Sequence, residues 1–293
     1  MAITTSLKVA AEAAADALGR LINTVVDTKV DAKTFTISRL IDLSPDDEKL
    51  EDWYLYNPNA SPAEWHRVDG FSITSGNLTA IQAFTDPPEA SEAVQLYSIL
   101  SPDEWRAAVN AFLQTVFFED VIQITLTSGK NLYGPSDHGA TWLQSKGQIL
   151  GYKYENTGAG AANVARESVP VVEPIEDDNA VSFYFPALPG SVSDLKVHVR
   201  ARRYYGALAT EADTTTCPYP LLIEGTKFEA LKMIFSRMGA RAKPMFGQEM
   251  VLTERELAKA KGKWLPPITH EEQRTDEDWA GVDLGYLPDT WSW

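Results

Sequence analysis

Cysteine is almost absent from this 293-residue chain: Cys217 is the only one, and the histidines are four, His66, His138, His198 and His270. One cysteine cannot close an intrachain disulfide. So few scattered Cys and His residues exclude a zinc site of the usual spacing. Long apolar runs are missing as well. Nothing approaches the ~18 uninterrupted apolar residues of a membrane helix. The opening MAITTSLKVAAEAAADALG lacks the charged stretch followed by an apolar one that marks a signal peptide. Positive charge is scarce: 26 Lys and Arg stand against 41 Asp and Glu, a net of −15. A surface that acidic repels phosphate, so neither sequence-specific nucleic-acid binding nor attachment to an anionic membrane is expected.

Catalytic patterns are lacking too. There is no G-x-S-x-G around any serine. Gly158-Ala159-Gly160 has neither the following lysine nor the strand-to-helix setting of a phosphate loop. The carboxylate pairs Asp46-Asp47 and Asp177-Asp178 are sequence neighbours in turns, where side chains point apart and stay solvated. General acid–base work needs two carboxylates across a cleft. EF-hand spacing is absent. The expectation is a protein without catalytic residues, metal or cofactor.

What is present is an ordinary globular composition, 44% apolar and 23% charged, in a chain long enough for two domains. Leu7, Ala11, Ala14, Leu18 and Leu21 recur at helical spacing and predict a helix over 6–22. Short β-type runs follow at Thr34–Ser38, Trp53–Tyr56, Glu64–Val68, Leu78–Phe84 and Val94–Ile99. Turn formers separate them, as in a small sandwich or barrel. Ser101-Pro102-Asp103-Glu104 is a capping box with proline at the first helical position, opening a helix to residue 118. A second β-rich stretch comprises Val121–Thr127, Gln148–Tyr154, Val181–Phe185 and Leu195–Arg203. Pro220 opens a helix to Met238, and Thr253-Glu254-Arg255-Glu256 reads as the cap of a short helix to Lys261. The fold expected is mixed, β-rich α+β, with two β-sandwich-like modules, packing helices and an extended C-terminal tail. The divisions are 1–100, 101–210, 211–263 and 264–293.

Three features invite a functional reading. Arg200 and Arg202 share a strand face with Lys196, beside Arg203. They form either a locally ion-paired surface or a patch for an acidic partner. Trp53, Tyr54, Tyr56 and Trp65 could stack on a sugar, although alternation buries half of them in a core. From Trp264 onward the chain is acidic and aperiodic, yet carries Trp264, Trp279, Tyr286, Trp291 and Trp293. Five large aromatics in such a segment suggest anchors for a partner.

One arrangement is familiar. Trp53-Tyr54-Leu55-Tyr56, Glu64-Trp65-His66-Arg67-Val68, Gly76-Asn77-Leu78-Thr79, the Phe84-Thr85-Asp86-Pro87-Pro88 turn and Val94-Gln95-Leu96-Tyr97 lead into Ser101-Pro102-Asp103-Glu104-Trp105 and a helix with Asn110 at its centre. Leu188-Pro189-Gly190, the strand Leu195–Arg203 and Tyr219-Pro220-Leu221-Leu222-Ile223 follow. Over residues 20–240 this order resembles the head–tail connector (adaptor) proteins of tailed bacteriophages. The resemblance implies a structural virion protein without catalytic residues, made in the bacterial host. It would form a homo-oligomeric ring of about twelve copies, bound to the portal protein and to tail or nozzle proteins, around the DNA channel. Another tail or fibre-attachment component and a carbohydrate-binding module using Trp53 or Trp65 are the alternatives.

Overall fold

The computed structural model describes residues 4–43, 50–127, 129–156, 172–178, 180–186 and 195–265. Asp46-Asp47, Gly158-Ala159-Gly160 and Leu188-Pro189-Gly190 lie outside the described residues, as does everything from Pro266 onward. The architecture is mixed α+β: a large antiparallel sheet, smaller sandwich-like sheets and several helices. Two compact units divide the chain, one built from residues up to Val116 together with Tyr204–Trp264, the other from Phe117–Arg203.

The first unit begins with a short strand β1 (Thr5–Ser6) and helix α1 (Leu7–Ala17). Ser6 caps the helix by accepting a hydrogen bond from the Val9 amide at 3.3 Å. Expected to run to residue 22, the helix stops earlier because Gly19 takes a left-handed φ of 63°. The Gly19 and Arg20 amides then donate back to the carbonyls of Asp16 and Ala15, both at 2.8 Å, which is the Schellman closure. Leu21 is thereby freed to start a strand that the helical period concealed.

Seven strands follow in one antiparallel sheet, ordered β2-β8-β5-β6-β7-β4-β3. They are β2 (Leu21–Val25), β3 (Thr28–Lys29), β4 (Thr34–Thr36), β5 (Tyr54–Asn57), β6 (Glu64–Ser72), β7 (Asn77–Ala80) and β8 (Ala93–Tyr97), with a short helix α2 (Arg39–Leu43) between β4 and β5. The two ends of this order, β2 and β3, are consecutive pieces of one segment. At Val26 the amide bonds back to the β8 side (Glu92 O, 3.0 Å), and at Asp27 to the β4 side (Thr36 O, 2.8 Å). The sheet therefore comes round on itself, so few edge groups are left unpaired. Strand β6 serves both halves, pairing with β5 and then β7, with a register shift between Val68 and Gly70 that bends it. Alternation sends Phe35, Leu55, Val68, Leu78, Val94 and Leu96 inward to a common core.

Helices cover part of the barrel's outer face. α3 (Pro102–Leu113) carries the expected capping box: the Glu104 amide donates to Ser101 Oγ at 3.3 Å, and the Ser101 amide to Glu104 Oε2 at 2.7 Å. The helix ends at Leu113 rather than 118, because the aromatic and β-branched run from Phe117 joins a strand. α5 (Tyr219–Met238) packs on α3 and α1, and α6 (Ala242–Trp264) packs along α5. α6 is one continuous helix of 23 residues. Thr253, expected as a cap, is buried in its middle, and Trp264, expected as the first residue of a tail, is its last residue. The helix α3, placed by sequence with residues 101–210, therefore belongs with α1, α5 and α6. Its apolar face of Trp105, Ala108, Val109, Phe112 and Leu113 is buried there.

Three contacts tie the parts of this unit together. Tyr56, on the outer face of β5 and buried, donates its hydroxyl to Glu211 Oε1 at 2.9 Å and accepts from Arg106 Nη2 at 3.1 Å. Its ring carries Arg106 at 5.5 Å and Lys8 at 5.9 Å, and burial, then Glu211, push its ionisation well above the ordinary tyrosine range. Asn110 on α3 imitates a peptide, donating to Leu208 O at 2.9 Å and accepting from Leu208 N at 2.8 Å. At the start of α3, Ile99 is held at a φ of 70°, an uncommon conformation for a β-branched residue. Its carbonyl accepts from Arg237 Nη1 at 2.6 Å.

The second unit is smaller. One three-stranded sheet is ordered β11-β14-β9 and the other β10-β13-β12. The strands are β9 (Phe117–Thr125), β10 (Leu132–Tyr133), β11 (Ile149–Asn156), β12 (Glu173–Asp177), β13 (Ala180–Tyr184) and β14 (Leu195–Tyr204); a short helix α4 (Pro135–His138) follows β10. Ile122, Ile124, Val197, Val199 and Ala201 from one sheet meet Tyr133, Val181, Phe183 and the adjoining Phe185 from the other. A final short strand, β15 (Thr214–Thr215), pairs with β1 in the first unit.

The crossing of α3 and α5 allows no side chain at Gly225: a Cβ there would lie 2.1 Å from the buried Phe112 ring. Gly225→Ala should lower unfolding free energy by at least about 2 kcal/mol through overpacking. Gly262, in α6 with open space around its Cβ position, gives the opposite sign: Gly262→Ala should stabilise by up to about 1 kcal/mol through helix propensity. Urea unfolding of both variants checks the pair.

Candidate functional site

The residues that could carry chemistry are dispersed among the described elements. Cys217 is buried, and burial pushes its thiol up to about 12, so it is protonated and unreactive at neutral pH. Asp177 and Asp178 sit at the exposed end of the β12–β13 pair. His66 shares a 2.8 Å hydrogen bond with Glu64, whose other oxygen accepts from the Thr85 amide at 2.8 Å, tying β6 to the 85–86 turn. His138 Nε2 contacts the Val181 carbonyl at 3.1 Å. Among the described residues no three His, Cys, Asp or Glu side chains gather as metal ligands. Asp46, Asp47 and Gly158–Gly160 lie outside the described residues.

The arginine patch of β14 is matched from within its own unit. Arg200 grips Glu119 of β9 with two hydrogen bonds, Nε to Oε1 at 2.6 Å and Nη2 to Oε2 at 2.8 Å. This bidentate pairing holds the Glu119 carboxyl below its ordinary range, against a smaller opposing effect of burial. Arg202 is buried and lies over the Phe117 ring at 4.9 Å. Arg203 pairs with Asp120 at 3.0 Å and stacks on Trp142 at 5.2 Å. Lys196 is half-buried on the outward face. These cations fasten β14 to β9 and to its surroundings.

The aromatic cluster is likewise framework. Trp53 packs against the barrel core. Trp65 donates its indole N–H to Asp103 Oδ2 at 2.9 Å and meets Tyr54 edge-on at 5.4 Å. Both tryptophans are half-buried.

The exposed apolar surface that calls for explanation is on the α5–α6 hairpin. Tyr219 is 44% exposed, Met245 65%, Val251 57%, Leu252 51% and Trp264 43%. Met245 and Leu252 are seven residues apart, hence on one side of α6. Its other side, with Ala242, Phe246, Thr253 and Leu257, is buried. The end of the hairpin forms a groove of about 450 Å³ lined by Tyr219, Pro220, Ile223, Glu224, Glu256, Lys259, Ala260, Lys263 and Trp264. Its size falls in the range of binding clefts, and its aromatic walls and charged rim suit a peptide more than a small metabolite.

Of the aromatics singled out by sequence, Trp264 lines this groove; Trp279, Tyr286, Trp291 and Trp293 lie outside the described residues. Arg200 and Arg202 belong to the second unit and its internal pairs. Tyr219, Met245 and Leu252 were not legible as surface residues, although the seven-residue spacing of Met245 and Leu252 becomes a signal once α6 is known to be continuous. Compared with known proteins, the sequence matches no family model, and no curated protein is significantly similar to it.

The Glu119–Arg200 pair has a pH signature. A carboxyl whose folded pKa is depressed contributes stability that is fully present above its unfolded value, ordinarily 4.5, and is lost as pH falls through the folded value. Thermal unfolding of the whole chain should therefore drop between about pH 6 and about pH 3. Glu119→Gln should have a lower midpoint at neutral pH and a shallower acid-side slope. An unchanged slope would mean that the pair contributes nothing.

Proposed function

We propose that this chain is a non-enzymatic structural subunit of a tailed-phage particle: a head–tail connector forming a closed ring of about twelve copies between the portal and the tail, around the DNA channel. One observation carries the reading: the run of exposed apolar side chains on the α5–α6 hairpin. Met245, Val251, Leu252, Tyr219 and Trp264 are large, uncovered and concentrated on one supersecondary element, as at a protein–protein contact. A closed ring needs two different faces on each subunit that fit one another, and a helical hairpin with exposed Met245, Val251 and Leu252 among charged residues supplies one of them.

Other features accord with this. Several of the polar groups that could serve chemistry are engaged within their own unit, Glu64 with His66 in the barrel and Glu119 with Arg200 in the sandwich. Among the described residues no helix is long and apolar enough to cross a membrane. A net charge of −15 lets packaged DNA slide past a ring without adhering, since like charges repel. The segment from Pro266 onward, with Trp279, Tyr286, Trp291 and Trp293, completes the proposal as a clasp for the portal protein, a tail or nozzle protein, or the adjacent copy.

Quantitative mass spectrometry of purified particles of the source virus, scaled to the major capsid protein, tests the reading. About a dozen copies per particle are expected for a portal-associated ring. Hundreds of copies would move the chain to shell or tail tube, and absence from particles would overturn the structural role. The Met245→Glu/Leu252→Glu double variant, altered only at exposed positions, should keep its unfolding midpoint and lose incorporation into particles.

A further inference from the structure

The lining of the α5–α6 groove holds two acids, Glu224 and Glu256, and two lysines, Lys259 and Lys263. Both of its acids are matched locally: Glu224 by Lys227 at 2.9 Å, Glu256 by Lys259 at 2.7 Å. Three further cations occupy the last three turns of α6. Of these Lys263 lines the groove, makes no ion pair with any carboxylate among the described residues and lies over the Trp264 ring at 5.0 Å; Arg255 and Lys261 lie outside the lining, where Glu256 and Glu229 respectively are near them. Lysines at the end of a helix answer its dipole. That effect accounts for the positive charge but not for Tyr219 and Trp264, which stand exposed around Pro220, Ile223 and Ala260 in the same groove. An occupant that suits this site is an acidic peptide with aromatic anchors.

The chain itself contains one. Residues 266–293 hold seven acids, Glu271, Glu272, Asp276, Glu277, Asp278, Asp283 and Asp289, against one arginine, Arg274, and add Trp279, Tyr286, Trp291 and Trp293. We propose that the groove between α5 and α6 is the receptor for the C-terminal segment Pro266–Trp293 of a second copy. The segment starts two residues after Trp264, at the rim of the groove. Pro266 and Pro267 cannot continue α6 and favour an extended course onward from it. Twenty-eight residues at up to about 3.4 Å each reach roughly 90 Å, ample for a neighbouring subunit. Each copy would thereby give one segment and receive one, the heterologous arrangement that closes a ring. The inference rests on the assembly reading and names the contact that makes it.

The test uses the full-length chain with a diazirine-bearing lysine analogue in place of Lys263, mixed from ¹⁴N- and ¹⁵N-labelled preparations and irradiated. Cross-links from position 263 to peptides within 266–293 that join light to heavy chains are the expected result. Cross-links to that segment only within one chain, or none to it at all, would overturn the proposal. Replacing Trp279, Trp291 and Trp293 together by alanine should abolish the light-to-heavy products. Their persistence would equally overturn it, since the aromatics are what the groove receives. The outcome is independent of particle composition: exchange between copies with no copies in virions would uphold this contact and sink the connector reading. A ring in virions without the cross-link would do the reverse.

Discussion

The first unit depends on the surroundings of one buried residue, Tyr56. A closed barrel normally presents its outer face to water, yet here part of that face lies under helices, and a buried hydroxyl without partners would cost about 1–3 kcal/mol. Tyr56 removes the difficulty by donating to Glu211 and accepting from Arg106. Arg106 is also paired to Asp103 at 2.7 Å, and Asp103 accepts from Trp65. The network thus runs from β5 through α3 and back to β6, and reaches the segment before β15. The tyrosine ring near two cations and the hydrogen bonds of its hydroxyl tie barrel and helices together. On this unit the α5–α6 hairpin displays Met245, Val251 and Leu252 among charged neighbours.

Much of this organisation was legible in the sequence, because it rests on local chemistry. The capping box at Ser101–Glu104, the barrel strands β4 to β8 and the start of α5 are short-range signals, and each is found close to where it was expected. Signals of the same kind failed where a distant contact decides. Thr253-Glu254-Arg255-Glu256 has the spacing of a capping box, but α5 provides a continuous bed and Thr253 is simply buried in it. The alanine-rich period of α1 ran on through Leu21, and one glycine in a left-handed conformation ended it.

The site was harder to read. Arg200 and Arg202 formed a visible cluster, but the partner that takes Arg200's charge, Glu119, is 81 residues away in sequence. A free patch and a paired one look alike in one dimension. Conversely, Met245, Leu252 and Tyr219 look like ordinary core residues, and only the absence of anything packed over them in the described residues marks them out. Exposure is a property of the assembled layers, so sequence periodicity gives the stripe but not which side of it is covered.

The proposed subunit would join the barrel-and-helix unit, the exposed α5–α6 hairpin and the acidic aromatic segment in one assembly contact. The most direct measurement is a localised cryo-electron-microscopy reconstruction of the portal vertex in particles of the source virus. The account predicts a ring there into which barrel, helices and sandwich fit, with α5 and α6 at the boundary between adjacent subunits. A vertex without this fold, or a ring in which Met245 and Leu252 face solvent with no neighbour against them, would contradict it.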